Sequence, residues 1–172
     1  MPKSNVTVSA TFTALPPESA SYTVNHLQQN IADDSYTLKE SETKTGKVGE
    51  ATSASAKSYD GFTAQDFSQA TISAGGTEVE IKYKRNTITY TFKADGGNWS
   101  GATADKTASG RYGATVTKPA DPTRTGYTFS SWNATVPDTF GATNQTFTAQ
   151  WTINTYTVTF TVDGTETKQT VA

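Results

Sequence analysis

The chain contains no cysteine and one histidine among 172 residues. The absence of cysteine excludes disulfides, thiol nucleophiles and cysteine-ligated zinc, although it assigns no compartment. One histidine removes histidine-paired catalytic triads and most zinc enzymes; His26 sits in an expected strand, where a structural role is the plainer reading. The net charge is only -2, so there is no basic face with which to displace counterions from nucleic acid. No stretch approaches the roughly 20 apolar residues that cross a bilayer, and no secretory signal opens the chain.

Threonine is abundant, at 34 residues. Branching at Cβ suits it to pleated strands. In Thr87-Ile-Thr-Tyr-Thr-Phe92 and Thr155-Tyr-Thr-Val-Thr-Phe160 it takes every second position with apolar residues between, the pattern of a strand with one wet face and one buried face. Interleaved aromatics argue against a disordered glycosylated stalk. The sequons beginning at Asn5, Asn98, Asn133 and Asn144 are what so threonine-rich a chain contains by chance.

The second of those segments repeats the first. Asn86 to Gly96 returns 68 positions later as Asn154 to Gly164, and a weaker copy starts at Ala20, placing Tyr22, Ile88 and Tyr156 in one column. Interiors correspond too: Gly61-Phe62 answers Gly126-Tyr127, and Val79 to Tyr83 answers Phe147 to Trp151. The chain is therefore divided into residues 20–85 and 86–153 as two units. Residues 1–19 are read as the closing strand of a preceding repeat plus the Pro16-Pro17 linker, and 154–172 as the opening of a following one. Met1-Pro2-Lys3 reads as an added start. A domain of about 60 residues buries only about 60% of the surface its unfolded chain exposes, so each unit needs a well-filled core.

Within unit one the pattern predicts strands over 22–28, 36–42 and 77–83, with turns at Asp33-Asp34-Ser35 and Ala74-Gly75-Gly76. The alanine-rich 50–57 stretch lacks apolar alternation and is expected to form a short helix. Unit two predicts an opening strand, a turn at Asp95-Gly96-Gly97, a return strand near 106–111 followed by Ala114-Thr-Val116-Thr117, at most one proline-started turn over 118–122, and strands over 127–132 and 145–152. A strand is also expected over 6–12. The expected class is α+β and strand-dominated, a small mixed sheet with a short helix across one face. Trp132 and Trp151 share a face with Phe129, Phe147 and Ala149 and are expected in the core, where truncation to alanine costs about 3–5 kcal/mol.

Trp99, in Gly96-Gly-Asn-Trp-Ser100, is the aromatic that strand alternation explains least. It could stack on a sugar ring or fold back over the sheet; Tyr59 is a second loop aromatic of this kind. Asp33, Asp34, Asp95 and Asp163 could bind calcium, but each lies at a turn where aspartate supports the backbone, and the spaced ligands of an EF-hand are missing. No metal and no cofactor is expected. Nor does any spacing identify the lysine, asparagine and buried acid of an intramolecular isopeptide bond.

Residues 86–153 resemble the Listeria-Bacteroides repeat, or internalin B-repeat, through Tyr90-Thr-Phe92, Asp95-Gly-Gly97, Tyr112-Gly113, Pro119, Pro122, Gly126-Tyr127-Thr-Phe129, Trp132 and Ala149-Gln-Trp151. Residues 20–85 are similar to mucin-binding-protein-like modules through Gly46-Lys-Val-Gly49-Glu50, Gly61-Phe62 and Thr77 to Tyr83, although Asp33-Asp34-Ser35 lacks the glycine of the usual early hairpin. The resemblance implies two tandem β-grasp (ubiquitin-like) modules in an extracellular bacterial surface protein or secreted adhesin, with no catalysis. The expected role is spacer and interaction module. The alternative is a glycan- or mucin-binding module using Trp99 and Tyr59, with a host glycan or protein as partner. Free strand edges at 6–12 and 156–160 are expected to self-associate.

Overall fold

The computed structural model describes residues 7–11 and 18–172, and among them every regular element is a strand. The first sheet contains β1 (Ser19–Gln29), β2 (Tyr36–Lys47), β3 (Phe62–Ala64) and β4 (Glu78–Arg85) in the order β2-β1-β4-β3. The second contains β5 (Thr87–Lys93), β6 (Lys106–Arg111), β7 (Tyr127–Trp132) and β8 (Gln145–Ile153) in the order β6-β5-β8-β7. In each, the first and last strands run parallel at the centre and the outer pairs are antiparallel. A hairpin of β9 (Tyr156–Val162) and β10 (Thr165–Val171) follows.

Alternation decides which side chains turn inward. Tyr22, Val24, Val79, Ile81 and Tyr83 fill one core with Ala54 and Ile72. Ile88, Tyr90, Phe92 and Phe147 fill a separate one with Val116, Val136 and Phe140. The rings of Phe92 and Phe147 stack at 5.4 Å, and Tyr90 meets Phe147 edge-on. Glycine is required where strand and crossover touch. A Cβ on Gly46 would lie 2.5 Å from Ile72 Cδ1, and one on Gly110 would lie 2.4 Å from the Phe140 ring.

The backbone repeats in detail. Gly49 N–H donates to Ile72 O and Ile72 N–H to Glu50 O, as Gly113 donates to Phe140 and Phe140 to Ala114. Parallel pairing sets Val24 against Val79 and Phe92 against Phe147. Tyr22 therefore matches Tyr90, not Ile88: the column read from the sequence was two residues out, a slip that preserves the buried face and so leaves no trace in the hydrophobic pattern.

The helix expected over 50–57 is absent, and the class is β-rich rather than α+β. Ala51 bridges Thr71, and Thr52 N–H donates to Ala70 O. The Gln69 amide accepts from Ala54 N–H and donates to Ala54 O, so the backbone of the segment bonds sideways. Thr52 and Ala54 are buried between exposed neighbours. That is a two-residue alternation written in small side chains, which an apolar template overlooks. Ala114 to Thr117 makes only an isolated bridge, Thr115 to Thr139. Residues 7–11 form no strand; Val6, Phe12 and the Pro16-Pro17 linker lie outside the described residues. Trp132 is half-buried against the second core, and Trp151 is half-buried over the 94–97 turn with its Nε1 donating to Ala94 O at 3.0 Å, so neither is a fully enclosed core residue.

Candidate functional site at the joint between the sheets

One residue, Asn86, separates β4 from β5. Its N–H donates to Gly61 O at 2.9 Å, its own carbonyl accepts from Tyr112 N–H at 2.9 Å, and its Oδ1 accepts from the Thr63 hydroxyl at 2.6 Å. One residue thus closes the ladder of the first sheet with its N–H and opens that of the second with its carbonyl. Gly61 has φ +75° and buries its α-carbon under the Tyr112 ring, where a Cβ would come within 2.2 Å of Cγ. Tyr112 also meets Phe62 edge-on at 5.7 Å.

Arg85 ties these parts together. Its guanidinium lies 4.7 Å from the Phe62 ring centre, Nη1 donates to Tyr112 O at 2.9 Å, and Nε donates to Gln29 O at 2.6 Å. Gln29 is buried, its Oε1 accepting from Arg85 N–H at 3.0 Å and its Nε2 donating to Asp34 at 3.1 Å. Burial, with Arg111 nearby, holds the Arg85 guanidinium below its usual pKa while Tyr112 opposes the shift. Arg111 donates to the carbonyls of Ile31 and Asp33 and pairs with Asp34. The loop that receives it is closed by Asn30 N–H to Ser35 O and by Asp33 Oδ1, which accepts from Ser35 N–H. Asp33 and Asp34 thus serve the turn and the joint.

Beside the joint an open cleft of about 490 Å³ is lined by Lys39, Tyr59, Asp60, Phe62, Arg85 and Tyr112, among others. Tyr59 is half-buried, packs edge-on to Tyr83 at 4.8 Å and donates its hydroxyl to Glu40. Trp99 does not line the cleft: it packs on the second core with Nε1 donating to Ala120 O at 2.8 Å. The two aromatics singled out from the sequence therefore belong to different units. Asp95 and Asp163, both at φ +48° and each followed by a positive-φ glycine, lie at Asp-Gly turns; that of β9 and β10 is a two-residue hairpin turn of the kind such dipeptides favour.

Behind Tyr59 lies a cluster of titratable side chains. His26 is fully buried, with Nδ1 2.7 Å from the Tyr83 hydroxyl, which also accepts from Lys57 N–H at 2.8 Å. His26 Nδ1 and the Tyr83 hydroxyl share one hydrogen bond, while Nε2 on the other side of the ring has no partner among the described residues. Burial foremost, then Lys57, lowers the His26 pKa. Lys57 lies 2.5 Å from Glu42 and 2.9 Å from Glu40, which raises its own pKa. Tyr59 and Lys57 lower that of Glu40, and Lys57 lowers that of Glu42. This cluster holds β2, the 51–61 segment and β4 together. His26 is sealed from solvent, and the Ser53 hydroxyl is bonded to Tyr22, so no base is paired with a nucleophile there.

Sequence reasoning missed Arg85, Arg111 and Tyr112 as a group. A signal existed: Arg85, Arg111 and Arg124 are the only arginines beside eleven lysines. The first two are at the joint, and Arg124 lies 3.9 Å over Tyr127, beside the second junction. Planar stacking and forked donation select arginine over lysine at such places.

Residues 87–155 match the family model of the Listeria-Bacteroides repeat domain, so the second sheet is similar to that repeat. No curated protein matches the chain.

Proposed function

We propose that the chain is a non-catalytic segment of a bacterial surface protein or secreted adhesin, with each four-stranded sheet a helix-less β-grasp module acting as spacer and interaction unit. The observation that carries this reading is the match of residues 87–155 to the repeat, on a sheet whose strand order recurs in residues 19–85. Parallel central strands flanked by antiparallel partners support the β-grasp assignment. By the same order, residues 20–85 are read as a related module, of the mucin-binding-like kind that their sequence resembles. Such modules place their ends at opposite poles of the sheet and so extend a chain. The reading puts the protein outside the cell and assigns it no enzyme activity.

Replacement tests the spacer role. In a surface-displayed adhesin carrying this segment between anchor and binding head, exchange for an unrelated rod of equal length leaves adhesion unchanged. Loss of adhesion after that exchange rejects the spacer role.

A second reading, glycan binding, is favoured by the cleft at the joint, where the Tyr59, Phe62 and Tyr112 rings stand beside Lys39, Asp60 and Arg85. Aromatic faces ringed by polar groups are the general form of a small-ligand site. A glycan array probed with the full chain, Tyr59→Ala and Trp99→Ala tests it. Binding lost in the first variant and kept in the second supports the cleft, whereas no binding by the parent chain rejects it.

A further inference from the structure

We infer that the joint between the two sheets is a rigid, sequence-coded interface that fixes the angle between them, rather than a linker. Neighbouring domains in one chain move relative to one another unless something prevents it, so the restraint has to be found in the contacts.

It has two arms. In the first sheet β4 lies between β3 and β1. On the β3 side, Gly61 and Thr63 hold Asn86, and Tyr112 rests on Gly61 and Phe62. On the β1 side, Arg111 grips the 30–34 loop, and Ile31 Cδ1 lies within 3.5 Å of where a Gly113 Cβ would stand. A hinge of one residue braced on both flanks cannot swing toward either without breaking the opposite set. Arg85 crosses between the arms, reaching Gln29 O at the end of β1 and Tyr112 O in the second unit.

The clip is written twice. Asn154 N–H donates to Gly126 O at 2.9 Å, and its Oδ1 accepts from the Thr128 hydroxyl at 2.6 Å, the same two bonds at the same two lengths. Gly126 has φ +76°. A glycine, a threonine two residues later, and an asparagine directly after the closing strand form the code in both places.

The inference concerns geometry and holds whether the segment spaces or binds. It is tested in the full chain by electron-electron distance measurement between spin labels at Glu80→Cys on β4 and Thr107→Cys on β6, both exposed. The absence of native cysteine makes labelling selective. A control pair, Glu80→Cys with Lys39→Cys, reports the label's own spread within one sheet. The expected result is a single distance distribution as narrow as the control, widening to at least about twice that width in Tyr112→Ala and in Asp34→Ala, as for domains free to move. Asp34 belongs to an exposed loop and to neither core, so its variant folds even if Tyr112→Ala does not. A parent distribution much wider than the control, or one left unchanged by both variants, overturns the inference.

Discussion

Adding one methyl group at Gly61 and at Gly126 separates backbone strain from collision. Both glycines have φ near +75°, at +75° and +76°, where an L-residue costs about 1–2 kcal/mol. Only Gly61 has a neighbour in the way: its added Cβ would lie 2.2 to 2.5 Å from the base of the Tyr112 ring, whereas nothing lies within 4 Å at Gly126. The struck atoms are at the root of the ring, so Tyr112 cannot yield without leaving Phe62, and such overpacking costs about 1–3 kcal/mol. Gly126→Ala should therefore destabilise its sheet by about 1–2 kcal/mol, and Gly61→Ala by about 2–5 kcal/mol. Native-state hydrogen exchange at the buried amides of Ile81 and Phe147 reads the two sheets separately. The excess at Gly61 should vanish when Gly61→Ala is introduced into a Tyr112→Ala chain, as a double-mutant cycle requires for a direct contact. Equal losses for the two glycine variants, or an excess that survives removal of Tyr112, refute the reasoning.

Three other outcomes follow from the described contacts. Because the His26 pKa is lowered in the fold, the unfolded chain binds the proton more readily: stability of the first sheet is full above about pH 6.5 and falls below it by at most about 1.4 kcal/mol per pH unit. Glu40 and Glu42, also lowered, add a second loss below pH 4.5; urea midpoints across pH should show both steps, the first missing in His26→Gln. Tyr83→Phe leaves His26 Nδ1 and Lys57 N–H without partners and should cost about 1–3 kcal/mol for each orphaned group, read by the same exchange method. Trp132→Ala and Trp151→Ala, at half-buried positions, should each cost less than Phe92→Ala at its fully buried one, for which about 3–5 kcal/mol is expected. The order is checked by urea unfolding followed by circular dichroism.

Strands with large inward side chains were legible, 127–132 coinciding with β7 and 145–152 falling one residue short of β8; 106–111 coincides with β6 although its inward residues are Ala108 and Gly110. The helix misassignment over 50–57 has a physical cause. Small residues such as Thr52 and Ala54 are buried by side-chain and backbone partners distant in sequence, and no local pattern names those partners. The 68-residue offset carries Tyr22 to Tyr90, but alignment of the hydrophobic faces alone accepts Ile88 equally, because moving a strand by two preserves its faces. The second strand of the last hairpin went unread because Thr165 to Val171 carries little apolar alternation. The hairpin leaves Tyr156, Val158 and Phe160 at 58%, 37% and 50% exposure, whereas Ile88, Tyr90 and Phe92 at the matching positions of β5 are at 4% or below. At the joint, Tyr59 stood out as a loop aromatic, but Arg85 and Arg111 end β4 and β6 and Tyr112 follows in the turn, so their meeting depends on the fold.

Tension along the backbone meets each sheet in a particular way. Pulling enters at the start of one central strand and leaves at the end of its parallel neighbour, so the load slides the pair lengthwise and strains all the bonds between them together instead of peeling them one after another. Six residue pairs, from Thr23 opposite Glu78 to Gln28 opposite Tyr83, resist this in the first sheet, and four, from Tyr90 opposite Gln145 to Lys93 opposite Thr148, in the second. A chain stretched from its ends should rupture first at β5 and β8, leaving the amino-terminal sheet as the stronger link.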